Sequence, residues 1–518
     1  MEMKLPDALL DPRSYPKKVK KIKMMQTHTS WVFLTGTYAY KIKKPVDFGF
    51  LDYTTLEKRK KFCQEEIRLN RRLCPSLYIG MVPVVRQDSG LFIGGVGEIV
   101  DYAVKMVEVP QSLIMTRLVK NGRAGFDLMD KIAETMADFH GRAETNEEIS
   151  NYGSVQTVTY NWTENFTQTE PFVGGVLPRK VYDNMQKLVM KFLRERHELF
   201  EERREDGRVK WVHGDFHSGN IFVQDEVYIF DCIEFNKRFS CSDTASEIAF
   251  FVMDLDFLGA KELGDYFLQR YIDYSEDTEM LKLLDFYKCY RSYVRGKVLG
   301  FKSLDDGVKE SERNRSQVIA RKYFRLSHHY ARTLFDGPLL VIVYGLPGVG
   351  KSVLSRELAR RLNIVHIRSD VLRKALAGIM IDNHTYSGFG KGIYAPGMTG
   401  KTYEKLIETA SRFLSHGMGC VLDATFSERR WRERASGLAR SRKVPFVSVY
   451  CDCPQPIVFD RIVKRMEDGD PSDALKETYQ RMKGVFEPAE AESIVFDSSQ
   501  SSRGAVSGLV REIRRRSL

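Results

Sequence analysis

Two short stretches of this 518-residue chain hold residue types suited to phosphate chemistry. The first, His213 to Asn220, reads H-G-D-F-H-S-G-N, and Asp231 follows at the end of the apolar run Val227 to Phe230. A carboxylate such as Asp215 can take a proton from a hydroxyl, while Asn220 and Asp231 offer oxygens to a hard divalent cation. The second, Gly345 to Ser352, reads G-L-P-G-V-G-K-S. Its glycines let backbone N–H groups curl around phosphate oxygens, Lys351 reaches the terminal phosphates, and Ser352 can ligate Mg2+.

Both stretches sit where flanking elements can aim them. The glycine loop follows the apolar run Leu339 to Tyr344 and precedes a helix with Leu354, Leu358 and Leu362 on one face, so the pattern is strand, loop, helix. Further strands are expected near 363–367, 419–423 and 445–451 with helices between, which makes a parallel α/β sheet. Asp423 ends one of these strands and is positioned for a metal beside the phosphates, unless it merely caps a helix. Asp370, in I-R-S-D-V-L-R-K, is the carboxylate of the turn after the second strand; it can serve as a base or as a helix cap. Arg461 and Arg465, four apart on an expected helix, share a face and can close over a triphosphate.

Upstream, Lys18 to Lys44 alternates like strands around the turn Thr35 to Thr37, and Thr54 with Glu57 has the form of a capping box that opens a helix. Short β-like runs return from Tyr78 to Val107, and helical periodicity dominates after about residue 126. The highly charged stretch from about 300 to 336, followed by Asp336-Gly337-Pro338, places a domain boundary near 335: residues 1–335 and 336–518.

The C-terminal order of motifs resembles the P-loop kinases that include chloramphenicol phosphotransferase, zeta-type toxins and the kinase part of polynucleotide end-healing enzymes. That resemblance implies ATP held by Gly345, Gly348, Gly350, Lys351, Ser352 and Val353, Mg2+ held by Ser352 and Asp423, Asp370 as base, and Arg461 and Arg465 in a lid. The N-terminal part resembles the aminoglycoside phosphotransferase and choline kinase branch of the protein-kinase-like fold, whose signature is H-G-D-x-H-x-x-N. The resemblance implies a bilobal α+β domain with Asp215 as catalytic base and Asn220 and Asp231 on Mg2+. It also implies Lys41 of A-Y-K-I on the nucleotide phosphates, with Glu66, or else Glu65, as its ion-pair partner. The turn Gln26 to Ser30 lacks the family's glycines, and the protein kinases' D-F-G is D-C-I at Asp231 to Ile233. Together the two parts look like bacterial fusion proteins known by those two domain names.

Composition narrows the class. With 43% hydrophobic and 29% charged residues the chain buries real cores, and a formal charge of +11 suits nucleotides as well as nucleic acid. The eight cysteines lack C-x-x-C spacing, which favours free thiols in a reducing compartment. Lacking an apolar leader segment or a run long enough to span a bilayer, the chain is expected in the cytoplasm without a membrane partner. The expected activity is a bifunctional ATP-dependent phosphotransferase acting on small-molecule hydroxyls, with nucleic acid the less favoured partner. The alternative is a P-loop ATPase or kinase whose N-terminal domain binds substrate or regulates without catalysis. A metal hydrolase built on His213, His217 and Asp215 is a weaker rival that leaves Asn220 and Asp231 unused.

Overall fold

The computed structural model describes residues 5–49, 51–88, 90–382, 390–468, 476–500 and 502–517, apart from the side chains of 465–468. The chain forms two compact units. The first comprises Met1–Arg123, Thr135–Val158 and Phe200–Phe251; the second comprises Ala124–Glu134, Thr159–Leu199 and Val252–Leu518.

In the first unit an antiparallel six-stranded sheet runs β1-β2-β3-β6-β4-β5. Its strands are β1 (Lys23–Gln26), β2 (Ser30–Leu34), β3 (Tyr38–Lys43), β4 (Tyr78–Gln87), β5 (Gly90–Ile93) and β6 (Glu98–Val107). Alternation along β3 separates its side chains. Tyr40 and Ile42 pack with Leu9 and Tyr15 on one face, while Ala39 packs with Cys63 and Ile67 of the helix Leu56–Asn70 on the other. Lys41 and Lys43 share the parity of Ala39, so both ammonium groups are directed toward that helix. The helix is capped by Thr55, whose hydroxyl accepts from Lys58 N at 3.2 Å; Thr54, the expected cap, instead donates its hydroxyl to Asp52 at 2.6 Å. The glycine-free turn before β2 is closed by Thr27 Oγ1, which accepts from Ser30 N at 2.9 Å.

Two small ribbons hold the H-G-D segment. β7 (Val209–Trp211) pairs antiparallel with β10 (Cys241–Asp243), and β8 (Ile221–Val223) pairs with β9 (Val227–Ile229). The loop His213 to Asn220 leads from β7 into β8, and Asp231 follows β9 with φ of 66°, in the left-handed region that Asp tolerates better than most residues.

The second unit contains a helical portion and a parallel sheet. Trp162 is fully buried, with Phe166 stacked at 5.2 Å and Tyr293 packed edge-on, and Phe192 stacks on Phe286 at 5.0 Å. The sheet order is β12-β13-β11-β14-β15, all parallel. These strands are β11 (Leu340–Tyr344), β12 (Val365–Arg368), β13 (Cys420–Asp423), β14 (Phe446–Asp452) and β15 (Ile494–Asp497). The first four match the expected strands, and β15 is an addition. β11 is buried along its whole length, as a central parallel strand must be. The architecture is therefore mixed, α+β before α/β. All eight cysteines are free and buried, and among the described residues no helix is long and apolar enough to cross a membrane.

Candidate functional sites

In the first unit, Glu66 is the hub. It is fully buried on the helix Leu56–Asn70, and its two oxygens accept from different lysines: Oε1 from Lys41 Nζ at 2.8 Å and Oε2 from Lys43 Nζ at 2.7 Å. Glu65 instead faces outward and pairs with Arg68 at 2.8 Å. Lys41 Nζ also donates to Asp231 Oδ1 at 2.6 Å, and Lys43 also donates to Glu234, which Tyr53 Oη bonds at 2.6 Å. Burial raises the cost of charge at Glu66, but the two ammonium groups outweigh it and hold its pKa near 2. Burial likewise opposes charge on Lys41, and the Asp231 and Glu66 carboxylates overcome it, raising its pKa.

The H-G-D loop is organised by Glu247, which sequence reasoning missed. Its carboxylate accepts from Gly214 N at 2.6 Å and His213 N at 3.2 Å, and lies 2.8 Å from His140 Nε2. Burial works against its charge, and His140 overrides this to hold its pKa low. Gly214 has φ of 88°, and a Cβ there would sit 2.8 Å from Phe239 O, so no other residue fits this corner. His213 is fully used inside the loop: Nδ1 accepts from Asp215 N at 3.2 Å, and Nε2 lies 3.0 Å from Phe230 O. Burial depresses its pKa. With both ring nitrogens so engaged, the metal-hydrolase alternative loses its first histidine. His217 Nδ1 accepts from Gly219 N at 3.0 Å and so caps the turn that presents Asn220. Asn220 Nδ2 donates to Asp215 Oδ2 at 2.9 Å, leaving its amide oxygen available for other partners. Asp215 and Asp231 keep partly exposed carboxylates, at 34% and 46%.

In the second unit the glycine loop bridges β11 and the helix Lys351–Leu362. Gly345, Gly348 and Gly350 all have positive φ. A Cβ on Gly348 would lie 2.7 Å from Val458 Cγ1, so packing as well as backbone demands glycine. Lys351 Nζ bonds Leu346 O at 2.8 Å, folded back along the loop, and Ser352 is half-buried at the start of the helix. Val353 is 64% exposed.

Asp423 ends β13 and is buried, with His366 Nε2 at 3.2 Å and Arg368 Nε at 3.8 Å. Burial would raise its pKa, but His366, Arg368 and Lys351 outweigh that and bring it to about 2. Asp370 lies half-buried in the first turn of the helix Ser369–Leu376, one residue past the Ncap-side start. Arg461 braces the loop: Nη1 donates to Val349 O at 3.3 Å and Ser498 Oγ at 2.9 Å. The Arg465 side chain lies outside the described residues.

The helix Lys261–Ser275 supplies a support that spacing did not reveal. Glu262 binds Arg368 and also pairs with Arg356 at 2.7 Å, while Asp265 Oδ2 accepts from His366 N at 2.9 Å. Burial opposes charge at Glu262, yet Arg368, His366 and Arg356 hold its pKa near 2.

The fold and these sites define a P-loop domain of parallel α/β type preceded by an α+β part. A family model described as an AAA domain matches residues 340–489, the segment that carries the glycine loop, Asp370, Asp423 and Arg461. The uncharacterized protein Rv2004c of Mycobacterium tuberculosis is 32% identical over 462 residues, covering 88% of this chain and 88% of its own. The chain belongs to the family of that mycobacterial protein. A shikimate kinase of Paramagnetospirillum magneticum is 26% identical over 171 residues, covering 32% of this chain and 80% of its own. Among solved structures, a choline/ethanolamine kinase family protein from Mesorhizobium loti covers 61% of this chain and 93% of its own, at 10% identity and a TM-score of 0.35.

Proposed function

We propose that the chain is a bifunctional ATP-dependent phosphotransferase, with functional domains at 1–335 and 336–518, each moving a γ-phosphate to a small-molecule hydroxyl in the cytoplasm. The observation that carries the reading is the pair of hydrogen bonds that Lys41 Nζ donates to Glu66 and Asp231, in the unit that also joins Asp215 to Asn220. Such a buried lysine is charged and directed at a partly exposed carboxylate, which is the electrostatic frame a polyphosphate needs.

The residues present suit ATP and Mg2+. Asp231 and the free amide oxygen of Asn220 are hard oxygen donors, as are Ser352 and Asp423. Mg2+, when bound, neutralises phosphate charge as the phosphoryl group transfers. In the first domain Asp215 accepts the proton of the acceptor hydroxyl, and Lys41 meets the phosphates. In the second, N–H groups around Gly345, Gly348 and Gly350 cradle the phosphates with Lys351, Asp370 takes the acceptor's proton, and Arg461 and Arg465 close the nucleotide end.

The alternative of a non-catalytic N-terminal domain draws on one observation: Glu262 and Asp265, which precede residue 336, hold β12 beside Asp423. ATP consumption with Mg2+ against sugars, amino alcohols, nucleosides, aminoglycosides and 5'-hydroxyl oligonucleotides separates the readings. Bifunctionality predicts that Asp215→Ala and Lys351→Ala each lose different acceptors, by about a hundredfold or more. If Lys351→Ala silences everything and Asp215→Ala changes nothing, the N-terminal domain is a binding or regulatory module.

A further inference from the structure

A groove of about 1030 Å3 in the second unit opens at the glycine loop. Part of its wall is the loop and the helix that follows, through Gly350, Val353 and Leu354. Another part comes from residues 256–330, including Lys261, Arg325 and His329, which lie before the segment matched as an AAA domain. Among the described residues, eight Lys or Arg side chains line the groove against two carboxylates, Asp256 and Glu357. Both carboxylates are already committed: Asp256 to Lys288 at 3.0 Å and Tyr330 at 2.6 Å, and Glu357 to Arg360 and Arg361. Four of these cations are paired as well, Lys261 with Asp265, Arg356 with Glu262, and Arg360 and Arg361 with Glu357, and the positive excess that Arg325, Arg461, Lys464 and Arg503 add favours an anionic guest.

Its apolar and flat surfaces suit a heteroaromatic ring. Val353 is an exposed apolar side chain directly after the phosphate-binding Ser352. His329 presents a flat imidazole whose Nε2 lies 3.1 Å from Arg360 O. Burial and the nearby Lys288 hold the His329 pKa near 4, so the ring is uncharged at neutral pH. Arg325 is exposed on the same helix, Glu310–Thr333, one turn away, with a planar guanidinium able to stack on a base. Gly350 belongs to both the glycine loop and the groove wall, so the groove adjoins the loop.

We propose that this groove receives the ribose and base of the nucleotide whose phosphates occupy the Gly345–Ser352 loop, and that Arg325 and His329 form part of that nucleoside subsite. The inference rests on the P-loop reading above and adds to it that residues before 336 bind the C-terminal nucleotide directly. Removing them weakens the hold on the nucleoside and leaves the hold on the phosphates.

The test compares ATP with inorganic tripolyphosphate by titration calorimetry on the full chain, in a Lys41→Met background that suppresses the first site. Lys351→Ala is expected to weaken both ligands. Arg325→Ala with His329→Ala is expected to weaken ATP about tenfold, as loss of base stacking does, while tripolyphosphate changes less than about twofold. Arg325→Glu alone, at an exposed position, is expected to weaken ATP in the same selective way. If the Arg325 and His329 variants leave ATP affinity unchanged, or weaken both ligands equally, the nucleoside subsite is overturned while the P-loop reading stands. If Lys351→Ala weakens neither ligand, the P-loop reading itself fails.

Discussion

Replacing either of the two lysines of β3 with methionine separates the ammonium proposed to meet the phosphates from one held between two buried carboxylates. Lys43 is 1% exposed, between Glu66 at 2.7 Å and Glu234. Lys43→Met keeps the aliphatic bulk but leaves Glu234 with the Tyr53 hydroxyl and Glu66 with Lys41. Breaking a buried ion pair costs about 3 to 5 kcal/mol, and the lower end applies because each carboxylate keeps one partner. Lys41→Met leaves Glu66 paired with Lys43, and Asp231 is 46% exposed and can hydrate, so its stability cost is about 1 kcal/mol. Amide hydrogen exchange of a peptide covering β3 reads this directly. About 3 kcal/mol corresponds to roughly 150-fold faster exchange, and about 1 kcal/mol to roughly fivefold. Lys41→Met should nevertheless lower turnover at the first site by about a hundredfold or more, since its ammonium is the one joined to Asp231. Exchange in Lys43→Met within fivefold of wild type, or a larger effect in Lys41→Met than in Lys43→Met, would refute the reasoning.

Acid should weaken both units by the same logic. Glu66 and Glu262 have pKa values lowered from 4.5 to about 2, so the stability they contribute is complete above about pH 5 and is lost as pH falls toward 2. Buried Asp265 and Asp285, with raised values, act in the opposite sense, so the readout is the difference between wild type and Glu66→Gln. Urea unfolding midpoints across pH 2 to 6 should fall less steeply in Glu66→Gln, and parallel curves would contradict the assignment. Gly348→Ala forces a Cβ to 2.7 Å from Val458 Cγ1 at a positive φ, costing about 2 to 4 kcal/mol in strain and overpacking. Calorimetry should show a lower melting temperature together with weakened ATP binding at the second site. Glu262→Gln removes a charged partner of Arg368, which is 5% exposed and also lies 3.8 Å from Asp423, and should cost about 3 kcal/mol. Hydrogen exchange in β12 should then quicken, and unchanged protection there would remove Glu262 as the support of that strand.

Much of both sites was legible because their residues lie close together in the chain. Asp215 and Asn220 are five apart in one loop, and the glycine loop is eight consecutive residues between a strand and a helix. Local backbone geometry turns such spacings into constellations with little help from the rest of the molecule. The limits of spacing show at Lys41 and Lys43. Two lysines two apart on a strand face the same way, so alternation cannot say which one meets a helix glutamate, and both in fact share Glu66. The helix cap shows the same ambiguity one residue apart, where adjacent threonines offer identical chemistry and Thr55 is the one that caps.

By itself, then, the sequence determined the phosphate loop and its strand, the H-G-D loop with its following aspartate, and the order of sheet-rich and helical segments. Packing alone decided that Glu247 gathers the backbone of His213 and Gly214, that Glu262 and Asp265 reach β12, and that Arg461 bonds the backbone of the glycine loop at Val349. Glu262 and Arg368 are 106 residues apart. Neither has a local reason to seek the other. They meet because burying apolar faces brings their elements together, and a buried arginine then requires a carboxylate wherever the chain can supply one.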